Sequence, residues 1–329
     1  MGKLGAALAL RRVCPKETDL GMSKLQPSSI ENLQGELATC NNVDDVDLSQ
    51  LSRLVEHVPE DMTATVEAGM TLVDFQQHLA KGGQWLPLDP PNPELVTIGD
   101  LLAKNLNGPR RFGCGTVRDW LIGMTVVLPD GRLVKNGGKV VKNVAGFDLY
   151  RLFIGAQNTL GVIVEATFKL QPLPEAEAHL AKRFDALGQA AECLGHIWNS
   201  DLQPNVLDLH RMDDGPLTMV VSVAGPSADV TAQSDELMAL GFEAGATLDY
   251  DAKYRSRTNT SKSVAPEKLI GTLGQLSERD FVARAGNGLI YFEGESSDNE
   301  EHTAELAELE LRLKREFDPE NKMPKLQRR

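Results

Sequence analysis

Asn107-Gly108-Pro109-Arg110-Arg111-Phe112-Gly113-Cys114-Gly115-Thr116-Val117-Arg118-Asp119 is the stretch that decides the fold of this chain. Glycine at this density lets a backbone approach a neighbour closely. Consecutive N–H groups in such turns form anion nests, Thr116 adds a hydroxyl, and Arg110, Arg111 and Arg118 add positive charge. A phosphate or pyrophosphate suits the chemistry; a long turn in a β-rich domain suits it equally well.

The elements on either side follow from periodicity. Upstream, Ser28 and Glu31 have capping-box spacing before Ile30, Leu33 and Leu37, which predicts a short amphipathic helix. Thr63 to Ala68 alternates as a strand, Gly69 turns it, and Thr71 with Asp74 opens a helix over Leu72, Phe75 and Leu79 that Gly82-Gly83 stops. Pro87 to Pro93 excludes helix and central strand, and a short helix from Asp100 to Asn105 follows Val96-Thr97-Ile98-Gly99. Downstream, Met124 to Leu128 and Arg132 to Lys135 flank a Pro129-Asp130-Gly131 turn as a hairpin, and Gly161 to Leu170 reads as a long strand. After Gln171-Pro172-Leu173-Pro174, helices at Phe184 to Ile197 and Ser227 to Leu240 alternate with strands at Val206 to His210, Thr218 to Ala224, Phe281 to Ala285 and Leu289 to Phe292. This pattern predicts an antiparallel sheet with helices on one face. Glu300 to Phe317 reads as a helix with Leu306, Leu309 and Leu313 on one side.

The chain has 329 residues, enough for about two domains at roughly 150 residues each. We expect an extension at 1–21, one domain at 22–174, and a second at 175–329 that includes the C-terminal helix. A net charge of −13 with no basic block beyond Arg328-Arg329 argues against nucleic acid or anionic lipid as partner. The apolar run from Trp120 to Leu128 is far shorter than the ~20 residues of a membrane span. Cys14, Cys40, Cys114 and Cys193 are scattered without C-x-x-C spacing, as expected of unpaired thiols in a cytoplasmic protein. Six histidines lack ligand spacing, so no metal is expected, and neither Walker A, G-x-G-x-x-G nor G-x-S-x-G is present.

Thr65-Val66-Glu67-Ala68-Gly69, Thr97-Ile98-Gly99, Gly113 to Asp119, Val127-Leu128-Pro129-Asp130-Gly131 and Gly155 through Thr167 occur in an order that resembles the FAD-binding domain of the vanillyl-alcohol oxidase family, the PCMH type. Lys142 to Asp148 and Ala283 to Gly288 resemble, within that family, the smaller FAD-binding chain of bacterial glycolate oxidases. The resemblance spans roughly Met22 to Asn321. It implies an α+β fold: a two-subdomain FAD-binding domain followed by a smaller α+β cap with an antiparallel sheet. It also implies that Thr97, Ile98 and Gly99, with Gly113, Gly115, Thr116, Val117 and Asp119, wrap the ribityl and pyrophosphate of FAD. Gly161, Val162 and Ile163 would meet the adenosine end, unless Gly161 is only a bulge. By the same resemblance the partners are a larger flavoprotein subunit and an iron–sulfur subunit, and the reaction takes 2-hydroxy acids such as glycolate to 2-oxo acids.

Two departures bear on the cofactor. Where the family carries a Gly-Gly-Gly-Thr pyrophosphate loop, this chain has Thr39-Cys40-Asn41-Asn42-Val43-Asp44-Asp45, with no glycine and two carboxylates. The glycine that follows Thr97-Ile98-Gly99 in the family is Asp100. A flavin-free structural subunit is therefore a second reading, and a stand-alone FAD-dependent 2-hydroxy-acid dehydrogenase a third. For the substrate carboxylate, Arg284 with Asn287 is the candidate, the alternative being an ion-paired Arg284 and an Asn287-Gly288 hairpin turn. No catalytic base is assigned.

Overall fold

The computed structural model describes residues 24–138, 149–255, 260–276, 279–294 and 300–326. The extension at 1–21, the Lys142 to Asp148 motif and Arg328-Arg329 lie outside the described residues.

A five-stranded antiparallel sheet forms the first domain, in the order Leu54–Val58, Thr63–Glu67, Val162–Lys169, Leu121–Val127, Leu133–Gly137. Its main core gathers Phe75 and Leu79 of the helix Leu72–Ala80, Leu101 and Leu102 of the helix Ile98–Ala103, and Ile163 and Phe168 of the central strand. Val162 and Val164 face the opposite side, where they meet Leu33 and Leu37 of the helix Ile30–Thr39. The sheet is thus covered on both faces. That is why Thr63–Glu67, expected to alternate, is buried at every position. Its polar residues are satisfied inside: Thr65 Oγ1 bonds Thr167 Oγ1 at 2.9 Å, and the Glu67 carboxylate accepts from the Arg53 amide at 2.7 Å and its guanidinium at 2.7 and 3.0 Å.

Local capping works as the sequence suggests, with one shift. Thr71 Oγ1 accepts from the Asp74 amide, as expected, whereas the first helix is capped by Ser29 and Asn32, one residue beyond the expected Ser28–Glu31 pair. Ser29 Oγ accepts the Asn32 amide while Asn32 Oδ1 accepts the Ser28 amide.

The second domain is built on a seven-stranded antiparallel sheet, in the order Glu243–Ala244, Ala176–Phe184, Leu217–Gly225, Val206–Arg211, Phe281–Arg284, Leu289–Phe292, Thr260–Ser263. Helices Leu187–Trp198, Ser227–Ala239 and Leu269–Leu276 cover one face over Leu207, Leu209, Val221 and Phe281. The sequence pattern predicts helices on that face alone, yet the other face carries Asp249–Arg255, whose Tyr250 and Tyr254 pack on Val220 and Val282. That helix has no apolar stripe because the face beneath it holds Asp208 and Arg284.

The last helix, Glu300–Phe317, leaves the second domain and packs Leu313 and Phe317 against the core of the first. Phe317 meets Phe153 edge-on at 5.5 Å. Lys314 Nζ donates to the Thr159, Met323 and Pro324 carbonyls at 2.9 to 3.1 Å and pairs with buried Asp318 at 2.7 Å. Met323 is buried beside Val43, so the chain closes where it began.

Candidate functional site

The segments expected to line a cofactor meet around the helix Ile98–Ala103. At its start, the Ile98 amide donates to the Met70 carbonyl at 2.9 Å and the Gly99 amide to the Ala68 carbonyl at 2.7 Å. A Cβ on Gly99 would stand 3.1 Å from that carbonyl oxygen, so glycine suits the close crossing. Thr97 Oγ1 accepts the Asp100 amide, and the Asp100 carboxylate accepts from Thr97 Oγ1 and pairs with Lys104. At the helix end, the Gly155 and Gln157 amides donate to the Leu102 and Ala103 carbonyls. The following turn, left-handed at Gln157 and Asn158, delivers Gly161 into the strand at Val162. Gly161 sits tightly there, its Cβ position 2.9 Å from the Val127 carbonyl oxygen. Val162 and Ile163 pair with Val127 and Val126 across the ladder.

The glycine-rich stretch divides in two. Gly108 lies flat on Asp89, whose carbonyl oxygen would be 1.7 Å from any Cβ. Arg110 then forks: its guanidinium grips Glu177 of the second domain at 2.8 Å to both carboxylate oxygens, its amide donates to Asp89 at 3.1 and 3.2 Å, and it stacks over Trp85. Phe112 reaches the second domain's core and lies edge-on to Trp198 at 5.6 Å, against Gly286. The Gly113 amide donates to the Asn205 carbonyl at 3.1 Å, and a Cβ there would fall 2.5 Å from Asn205 Cα. Gly113 therefore docks on the second domain. Gly115, left-handed at φ +80°, turns back toward the first. The Thr116 amide and hydroxyl both donate to the Asp119 carboxylate at 2.7 and 2.9 Å, with Val117 buried behind. Those bonds hold the Asp119 carboxyl below its usual range.

A cavity of about 640 Å³ opens between the domains beside Gly113 and Cys114, with Trp85, Pro172, Leu202 and Asn205 in its wall. Its volume is that of a small-molecule site. Burial, with Asp89 near by, pushes the Cys114 thiol up to about 11, so it stays protonated. Burial raises the Asp89 carboxyl to about 7 against the pull of Arg110.

Across the interface, the second face of the cap sheet is polar and buried. Arg284 is 1% exposed and bonded to both Asp208 and Asp251, and Tyr250 Oη donates to Asp208 at 2.6 Å. His210 stacks on Tyr250 at 4.4 Å, and burial lowers its imidazole to about 4. His179 Nδ1 lies 2.6 Å from Ser222 Oγ, and burial keeps its ring below its usual range, which favours the neutral form. Arg284 is thus ion-paired on both sides. Asn287 is exposed in a hairpin whose Asn287 and Gly288 amides both donate to the Arg284 carbonyl, with Gly288 left-handed at φ +68°. Asp89, Arg110 with Glu177, and His179 with Ser222 carry no motif. Only the fold joins them.

In the cavity wall Trp85 Nε1 and Asn205 Oδ1 are buried without a hydrogen-bond partner, one donor and one acceptor that a bound molecule could satisfy. Asn105 Oδ1 and Asn107 Oδ1, on the loop between helix and glycine stretch, are buried and have no partner. Such acceptors suit the hydroxyls of a ribityl chain and the N–H of a flavin ring. The connection from Thr39 to Asp45 offers a diphosphate much less: the Val43 amide is taken by the Lys322 carbonyl at 2.8 Å, and the Val46 amide by the Asp45 carboxylate at 2.9 Å. Among the described residues, no group of three His, Cys, Asp or Glu side chains gathers to hold a metal, and no helix is long and apolar enough to cross a membrane.

The first domain's antiparallel sheet and helices make an α+β fold, and a second, sheet-based domain docks on its glycine turns. Residues 31–137 match the FAD binding domain family, and the chain carries that domain. It is similar to glycolate oxidase subunit GlcE of Escherichia coli (37% identity over 152 residues, 46% of this chain and 42% of that protein). It is also similar to glycolate oxidase subunit GlcD of Bacillus subtilis (34% over 171 residues, 52% and 36%) and to D-2-hydroxyglutarate dehydrogenase of Stutzerimonas stutzeri (33% over 129 residues, 39% and 28%). The matched region thus spans less than half the length of these relatives. Among solved structures, an alkyldihydroxyacetonephosphate synthase shares the fold at TM-score 0.70 and 16% identity, covering 92% of this chain and 76% of that one.

Proposed function

We propose that this chain is the FAD-binding subunit of a cytoplasmic glycolate oxidase-like complex that oxidises small 2-hydroxy acids to 2-oxo acids beside a larger flavoprotein subunit and an iron–sulfur subunit. The observation that carries the reading is that the chain is similar both to two glycolate oxidase subunits and to a dehydrogenase named for a 2-hydroxy acid. Bound FAD supplies a two-electron acceptor that no amino-acid side chain provides. The protein's part is to hold and orient. Thr97, Ile98 and Gly99, with Gly115, Thr116, Val117 and Asp119, shape the wall along the ribityl chain, and Gly161, Val162 and Ile163 the far end. Gly113 contributes by fixing the cap above them. In this reading Arg284 acts from the cap by holding Asp208 and Asp251 in place, and Asn287 serves the hairpin turn beside it. The interdomain cavity admits the hydroxy acid.

A flavin-free structural subunit is the second reading, favoured by the glycine-free connection from Thr39 to Asp45. An absorption spectrum of the purified chain, taken after gel filtration with and without added FAD, separates the two. Retained flavin bands support the redox subunit. A colourless protein after incubation at near-millimolar FAD would end it and leave the structural subunit, to be pursued by co-purification with the partner chains.

A further inference from the structure

We propose that the interdomain cavity selects 2-hydroxy acids with an apolar side chain over glycolate. Trp85 donates to the carboxylate and Asn205 accepts from the 2-hydroxyl; this rests on the reading above that the cavity admits the hydroxy acid. A polar atom buried without a partner is costly, and a ligand that supplies the missing partner recovers the cost.

The cavity wall holds one such donor and one such acceptor, Trp85 Nε1 from the first domain and Asn205 Oδ1 from the second. An indole N–H can only donate, so its complement is an acceptor such as a carboxylate. Trp85 is set in place by the short strand Gln84–Trp85, which pairs with Gln171–Pro172, and by the Arg110 guanidinium 5.5 Å from the centre of its ring. Glu175, whose carboxylate also borders the cavity, already accepts from the Ser227 amide at 3.1 Å and hydroxyl at 3.4 Å. Asn205 is fixed by its backbone: its amide donates to the Ser222 carbonyl at 2.8 Å, and its carbonyl takes the Gly113 amide at 3.1 Å. Its side-chain Nδ2 donates to Glu177 at 3.4 Å, which leaves Oδ1, an atom that only accepts, for a hydroxyl. A carboxylate with a hydroxyl on the next carbon presents that pair.

Much of the remaining wall is apolar. Phe112, Pro172, Leu202, Pro204 and Pro226 line it, and Cys114 adds a neutral thiol. The volume of about 640 Å³ is that of about 20 waters at ~30 Å³ each. Glycolate, with no side chain at all, leaves most of that space to water, against carbon atoms that offer it no hydrogen bonds. A branched alkyl side chain displaces this water, and each methylene so buried is worth about fourfold in affinity.

Calorimetric titration of the full chain with glycolate, 4-methylpentanoate and 2-hydroxy-4-methylpentanoate tests this, any bound flavin being kept reduced with dithionite so that nothing turns over. We expect the branched hydroxy acid to bind tenfold or more tighter than glycolate, and about fivefold tighter than its counterpart without the hydroxyl. We also expect Asn205→Ala to bring those two branched acids level, and Trp85→Phe, which keeps a ring without the donor, to weaken all three acids about tenfold. Glycolate within tenfold of the branched hydroxy acid, or variants that bind as the unaltered chain does, overturns the proposal and leaves the hydroxy-acid reading standing. No binding of any of the three acids overturns the cavity as the substrate's place as well, while the absorption spectrum reports on FAD separately.

Discussion

Asp89, which holds the Arg110 that reaches across to Glu177, shows how little of the seam between the domains is legible in sequence. It sits in a proline-rich passage that marks a connection, and its partner Arg110 is 21 residues away while Glu177 is 67 further on. Thr71 and Thr97, by contrast, are legible because a cap and its amide are three residues apart. The Asp89 carboxyl, raised by burial to about 7, binds a proton in the folded chain over the range from about 4 to about 7, where an unfolded aspartate has none. Its contribution to stability is therefore full below about pH 4, declines as pH rises, and is gone above about 7. His210 works the other way: lowered to about 4, its contribution is present above about 6.5 and lost as pH falls toward 4. We expect Asp89→Asn, which keeps an acceptor for the Arg110 amide, to flatten the fall in urea stability between pH 4 and 7 by up to about 1.4 kcal/mol per pH unit. An unchanged slope would show that Asp89 titrates at its ordinary value.

Among the elements, those with a repeating pattern are readable and those held by distant partners are not. Helix Leu72–Ala80 and the strand Val162–Lys169 stand within one residue of expectation, because Phe75, Leu79 and the β-branched run leave one choice of period. Helix Asp249–Arg255 is invisible in the sequence, since it packs through two tyrosines and an aspartate bonded to a buried arginine. The glycine stretch reads correctly as backbone made for close approach, and each glycine has its own neighbour: Gly108 meets Asp89, Gly113 meets Asn205, and Gly115 meets the Asp119 carboxylate. The helix Glu300–Phe317 shows what one lysine can hold. Lys314→Ala removes the counter-charge of an Asp318 side chain with no exposure and frees three carbonyls. A loss of about 3 kcal/mol in urea denaturation is expected; a loss within about 0.5 kcal/mol, as at an ordinary surface site, would mean that Asp318 is held by its backbone bonds to Lys322 and Met323 alone.

For the whole molecule, the contact between domains is made at van der Waals distance by backbone, which ties their motions together. Gly113 on Asn205 and Gly286 on Phe112 leave no room for a side chain, and the Arg110 fork adds charge to the same seam. Gly113→Ala sets a Cβ 2.5 Å from Asn205 Cα and must push the domains apart. We expect calorimetry to resolve one unfolding transition into two, with each domain's own transition preserved. A single transition shifted down as a unit would show that the domains fold as one body whatever the seam. Two sheets with separate cores lie on either side of Gln171 to Pro174, where the sequence pattern changes. The return of the last helix to the first domain is not legible, since Leu313 and Phe317 look the same whichever core they enter.

That return has a consequence for how the chain comes to fold. The first sheet is complete by Lys169, yet Lys314 binds the Thr159 carbonyl from 155 positions away and Met323 seals the core around Val43. During synthesis the amino-terminal half must therefore wait, with that core open, while the entire cap is made. Contacts of such sequence separation form late and slowly, and a half-built hydrophobic core is what chaperones protect. The cap is, in ribosomal order, a parenthesis inside the domain it covers.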